Sequence, residues 1–194
     1  MKNTRSVVRR LAVVGRIVLT LIVVMGPVSG LAMSQGNGIP APQPGPEAKK
    51  LAMLAGNWQY EGAAKASPLG PAAKISGKQT ARVVGGGFAV EFTGEETGVF
   101  GGIKWGETDV YDSAAKSNRY LGYQDDGSTW QGSSSISGNV LKFSGTQSAK
   151  GVSYQARGTI TFAADGKSFT QQNEISTDGK TWALWFDVKC TKVS

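Results

Sequence analysis

The sequence predicts an all-β protein: an antiparallel up-and-down β-barrel of about ten strands, lipocalin-like, with a short N-terminal capping helix. Three observations carry that prediction. Beyond residue 56, apolar and polar residues alternate in run after run, the period-two pattern of a sheet with one buried face. Asp-Gly reversals recur in "DGSTW" (126–130), "DGKSF" (165–169) and "DGKTW" (178–182), where glycine supplies the positive φ that a tight hairpin needs. The connections are short, so consecutive hairpins curl and close, which removes the exposed edges.

The chain begins with Lys2, Arg5, Arg9, Arg10 and Arg16, followed by the apolar run "IVLTLIVVM" (17–25) and the small residues around Ala32 and Ser34. That order reads as a secretory signal peptide over 1–34, cut before Met33 or Gln35. The other reading is an uncleaved anchor, for which 17–33 is a short span broken by "GPVSG". The expected location is therefore outside the bacterial cytoplasm, periplasmic or extracellular. The formal charge of +7 belongs mostly to this leader. No acid precedes Glu47, and residues 35–194 carry only two more bases than acids. Nucleic acid is not an expected partner, and a membrane is one only through an uncleaved leader.

Residues 35–46, "QGNGIPAPQPGP", are glycine, proline and polar residues with one isoleucine, a linker that cannot bury enough to order itself. The barrel domain is expected over 47–194, long enough for a core without staples. The lone Cys190 has no disulfide partner in the chain and reads as a buried apolar side chain.

Leu51, Leu54 and Ala55 sit at helical spacing. They predict a helix over 47–55 that lies across one end of the barrel and stops at Gly56, before Trp58 enters the first strand as the floor. Strands are expected at about 57–65, 72–84, 87–94, 98–105, 107–113, 118–125, 128–137, 139–147 and 152–163, with a two-stranded hairpin over 167–192. In "FAVEF" the inward set is Phe88, Val90 and Phe92, and in "SYQARGTITF" it is Tyr154, Ala156, Gly158, Ile160 and Phe162. In "TWALWFDVKC", Trp182, Leu184, Phe186, Val188 and Cys190 share one face, and Ala183, Trp185, Asp187 and Lys189 the other. The Asp-Gly aspartates lack the ligand alternation and closing glutamate of a calcium loop, so they read as turn residues.

"GNW" (56–58) resembles the Gly-x-Trp opening of lipocalin-type barrels, in which that tryptophan packs at the closed end. Lipocalins also set an arginine near the last strand over it; here the final strand offers Lys189 and Lys192 but no arginine. A broader resemblance rests on "EAKKLAMLAGNW", "VVGGGFAVEFTG", "GVFGGIKWGETDVYD" and "NRYLGYQDDGS". These blocks are similar to successive parts of a bacterial family, domain of unknown function 1579. The resemblance implies a lipocalin-like barrel of exported proteins and no settled activity.

The chain contains no histidine. This excludes a Ser-His-Asp triad, a Cys-His pair and any histidine-ligated zinc or haem, and sets the chain apart from haem barrels of nitrobindin type. No phosphate-binding glycine loop is present; Gly85 to Gly87 read as a bend before Phe88. The pairs Glu95-Glu96 and Asp125-Asp126 fall at expected turns, where charge is solvated. Asp109 and Tyr111 share a strand face. Turned inward, they form a carboxylate-held phenol that could donate to a ligand; turned outward, Asp109 is solvated and Tyr111 packs on its neighbours. Glu91 reads as outward. Arg82, near a strand end, would meet an anionic ligand or cap the rim.

What remains is aromatic content spread over many strands, including Tyr120, Trp182 and Trp185, with Gly122, Ser133, Ser135, Gly158 and Thr161 leaving volume unfilled. Rings and a few polar groups are what a barrel pocket uses. The residues selected as ligand-binding are Trp58, Tyr60, Arg82, Trp105, Asp109, Tyr111, Tyr123 and Trp130, and the expected partner is a small apolar or amphipathic molecule. No catalytic residue, metal ligand or cofactor is expected. The alternatives are a filled barrel that serves as a structural or interaction module, and a histidine-independent enzyme working through Asp and Tyr acid–base groups.

Overall fold

Alternation of side chains, repeated over ten strands, produces the architecture. The computed structural model describes residues 43–99 and 101–193; the expected leader and most of the expected linker lie outside them. The strands are β1 (Gly56–Ala64), β2 (Ala73–Val84), β3 (Ala89–Gly98), β4 (Gly101–Asp112), β5 (Ser117–Gln124), β6 (Thr129–Ser137), β7 (Val140–Ala149), β8 (Val152–Phe162), β9 (Ser168–Ser176) and β10 (Ala183–Val193). Each pairs antiparallel with the next, and β1 closes on β10 to complete the barrel. Among the described residues no helix is long and apolar enough to cross a membrane.

The Asp-Gly reversals behave as turn chemistry predicts. The carboxylates of Asp126, Asp165 and Asp178 each accept the backbone N–H two residues on, at 2.9, 2.9 and 2.8 Å.

Two expectations need correction at the level of elements. The strands expected at 98–105 and 107–113 are one continuous strand, β4. Gly106 lies within it because the exposed ring of Tyr123 on β5 occupies the space that a Cβ there would fill. The expected helix is a five-residue α1 (Pro46–Lys50) continued by a 3-10 turn, Leu51–Leu54. It ends on Ala55 in an extended conformation rather than on Gly56. Gly56 instead opens β1 with φ of 142°, and a Cβ there would strike the Lys192 side chain.

The helical segment stoppers one end. Leu51, Leu54 and Trp58 are almost fully buried there, with Ala81, Val90, Ile136, Leu141, Phe162 and Phe169. The Trp58 indole N–H donates to the Leu54 carbonyl at 2.9 Å. Its ring meets Phe169 edge-on at 4.8 Å between centroids, and the Lys192 ammonium stands 5.1 Å above it. The lysine of the last strand thus covers the tryptophan ring. At the other end the β1–β2 loop tucks in Leu69, which is 1% exposed and packs with Ala149, Tyr154, Ile175 and Trp185. Lys150 Nζ donates to the Leu69 carbonyl at 2.9 Å and holds that loop.

Candidate functional site

Inside the barrel, between the Trp58 floor and the β1–β2 loop, lies a cavity of ≈ 190 Å³. It exists because several inward rings lie along the wall rather than across the lumen. Trp130 on β6 reaches over Gly122 of β5, and its indole N–H donates to the Glu107 carboxylate on β4. A Cβ on Gly122 would overlap that indole, and one on Gly94 would overlap the indole of Trp105. Tyr60 over Gly77 and Phe143 over Gly158 repeat the pairing. Leu141, Phe143, Ile160, Phe186 and Val188 make the apolar part of the lining.

The polar part holds three carboxyl groups, Glu96, Glu107 and Asp109. Trp105 donates its indole N–H to the Tyr60 hydroxyl at 3.3 Å, and that hydroxyl donates to Glu96 at 3.2 Å. Burial holds Glu96 above the usual carboxyl range, offset in part by the Tyr60 hydrogen bond. Burial, and then the negative charge of Glu96, raises the Tyr60 phenol. Glu107 and Asp109 form a second group, two residues apart on one strand face. Burial raises Glu107, with Trp130 and Asp109 pulling back. Asp109 is raised further, by burial and then by the neighbouring Glu107. The two buried acids thus disfavour each other's charge, and Asp109 is pushed towards its protonated form. Its Oδ1 is buried with no hydrogen-bond partner among the described residues, and the residue as a whole is only 5% exposed. The Tyr120 phenol across the strand pair is raised by burial and by these two acids. The Cys190 thiol, also on the lining, is pushed up to about 12 by burial alone and is a poor nucleophile.

Of the eight residues selected from the sequence, the structure gathers Tyr60, Trp105, Asp109 and Trp130 around the cavity. Trp58 lies in the apolar floor, and Tyr111 is half-buried against the same core. Arg82 and Tyr123 stand on the outer wall, exposed. Asp109 takes the inward of its two expected orientations. Glu91 is exposed, as alternation predicts.

Sequence reasoning missed Glu107, Tyr120 and Glu96. Glu107 carried a legible signal: it stands two residues before Asp109 in the expected strand 107–113 and so shares its face, but it was not selected. Glu96 looked like turn charge; β3 in fact extends through Gly98, so Glu95 points out to Lys78 at 2.8 Å and Glu96 points in. The face assignment of the last strand also changes. A bulge between Leu184 and Phe186 turns Trp185 inward to 7% exposure and leaves Leu184 exposed. Ser135 and Thr161 face solvent, and Ser134 is the inward serine, accepting from the Asn118 amide at 3.2 Å.

Fold and site together define a small closed antiparallel barrel with an acid-bearing, aromatic interior cavity. The chain belongs to the DUF1579 family, described as a protein of unknown function, whose model matches residues 43–184. Among solved structures it is similar to Rv2717c from M. tuberculosis, at 14% identity and a TM-score of 0.55, covering 77% of this chain and 99% of that one. It is also similar to a de novo designed fluorescence-activating β-barrel, at 10% identity and a TM-score of 0.42, covering 76% of this chain and 98% of the design. A comparison with curated proteins found no match.

Proposed function

We propose that this protein is an exported carrier that binds one small apolar or amphipathic molecule inside its barrel. The observation that carries the reading is the ≈ 190 Å³ cavity, lined by both apolar and polar side chains. A dry cavity of about 150 Å³ accommodates benzene, so this one suits a ring or short chain with one polar group. Export rests on the basic and apolar leader.

Trp105 and Trp130 border the cavity, so their emission reports its occupation. Titration of the protein with small apolar compounds is expected to quench or shift tryptophan fluorescence to saturation, and Trp130→Phe is expected to reduce the change. A response that never saturates, or one indifferent to Trp130→Phe, would argue for a filled interaction barrel.

The buried acids Glu107 and Asp109, two residues apart on one strand face, favour a second reading, acid–base catalysis without histidine. A protonated aspartic acid beside an acceptor carboxylate can pass a proton to a bound carbonyl and take it back. This reading predicts turnover lost in Asp109→Asn, whereas a carrier returns its ligand unchanged.

A further inference from the structure

Every titratable group on the cavity wall is neutral or anionic: Tyr60 from β1, Glu96 from β3, Glu107 and Asp109 from β4, Tyr120 from β5 and Cys190 from β10. Among the described residues no lysine or arginine lines the cavity. The ion pairs Lys78–Glu95, Arg119–Asp112 and Arg157–Glu174 involve exposed or half-exposed side chains and leave the interior acids without a cation. Buried polar groups are ordinarily hydrogen-bonded or paired, and Oδ1 of Asp109 is buried with no donor among the described residues. Indole and phenol rings around the same space, Trp105, Trp130, Tyr60 and Tyr120, present the electron-rich faces that attract an organic cation. No third His, Cys, Asp or Glu joins this pair in a metal-binding group among the described residues.

We propose that the molecule held in this cavity is a small organic amine bound as its ammonium ion, with the ammonium at Asp109 and Glu107 and its apolar body against the aromatic wall. The inference rests on the cavity being a binding site and adds the charge of the ligand. A carboxylate such as a fatty acid would bring a further negative group among three acids and is disfavoured. A cation beside Asp109 favours its charged form.

The test is isothermal titration calorimetry of the full chain with three probes of one shape: phenethylamine, phenethyl alcohol and phenylacetate. The amine is expected to bind about tenfold more tightly than the alcohol, and phenylacetate to give no binding heat. Asp109→Asn is expected to weaken the amine about tenfold more than it weakens the alcohol, a ratio that a general loss of folding would not produce. Alcohol or phenylacetate binding as tightly as the amine would overturn the inference and leave the carrier reading standing. Failure of all three to bind would overturn both.

Discussion

The capped end and the middle of the barrel use the same strands and opposite ways of filling space. At the capped end, rings cross the lumen and meet one another: Trp58 on Phe169 at 4.8 Å and Phe169 on Phe162 at 5.5 Å. The Trp58 N–H is satisfied by a backbone carbonyl, and the region is closed. In the middle, Trp105 and Trp130 lie over glycines of the adjacent strands, their N–H groups spent on Tyr60 and Glu107. A ring laid along the wall leaves volume where a ring laid across it fills volume. The difference is decided by which strand positions carry glycine.

The largest effect that would break this comparison falls on the floor. Trp58→Ala is expected to cost about 3–5 kcal/mol in urea unfolding; an unchanged midpoint would mean that the floor is not load-sharing with the rest of the core. Next comes the wall. Gly122→Ala forces a methyl group into the Trp130 indole and is expected to cost about 1–3 kcal/mol through overpacking. It should also displace Trp130 from Glu107, seen as a shift in tryptophan emission. A neutral Gly122→Ala would refute the wall-lying arrangement.

The interior acids and the surface also part in their response to pH. Folded Asp109 holds its proton more tightly than the unfolded chain does. Stability therefore falls as pH rises from the ordinary aspartate value of 3.8 towards the higher folded value. Glu107 and Glu96 act in the same direction. Surface Asp178, lowered to about 2 by the backbone N–H groups of Thr181 and Lys180, acts oppositely: its contribution is present above the unfolded aspartate value and is lost as pH falls towards 2. Urea midpoints measured across the acid to neutral range should show a decline on the alkaline side, and Asp109→Asn should flatten it. A wild-type midpoint that keeps rising towards neutral pH would contradict the buried acid pair. The smallest expected effect is Lys192→Met, about 0.5–1 kcal/mol for the exchange of a cation over the Trp58 ring, read from the same unfolding curves.

The capped end was legible in the sequence because its signals are local. Helical spacing at Leu51 and Leu54, then Trp58 at the strand entry, placed the floor without long-range information. The middle was legible only in part. Alternation placed Asp109 and Tyr111 on one face but could not orient that face, since a slip of one residue inverts a strand. Gly106 reads as a turn in sequence, and only the ring of Tyr123 on the neighbouring strand explains why it lies in β4. The bulge that turns Trp185 inward has no local signature between Leu184 and Phe186. Glycine seats are pairwise features too: Gly122 matters because of Trp130 one strand away, a relation that register alone reveals.

The most direct test of the cavity as a ligand site is native mass spectrometry of the protein recovered from its own cells. The expected result is a reproducible added mass that is released on denaturation, of a size that ≈ 190 Å³ can hold, with, if the proposed leader is cut, a polypeptide mass beginning near Met33 or Gln35. A bare polypeptide that takes up no small molecule when amines and neutral compounds are supplied in excess would contradict it.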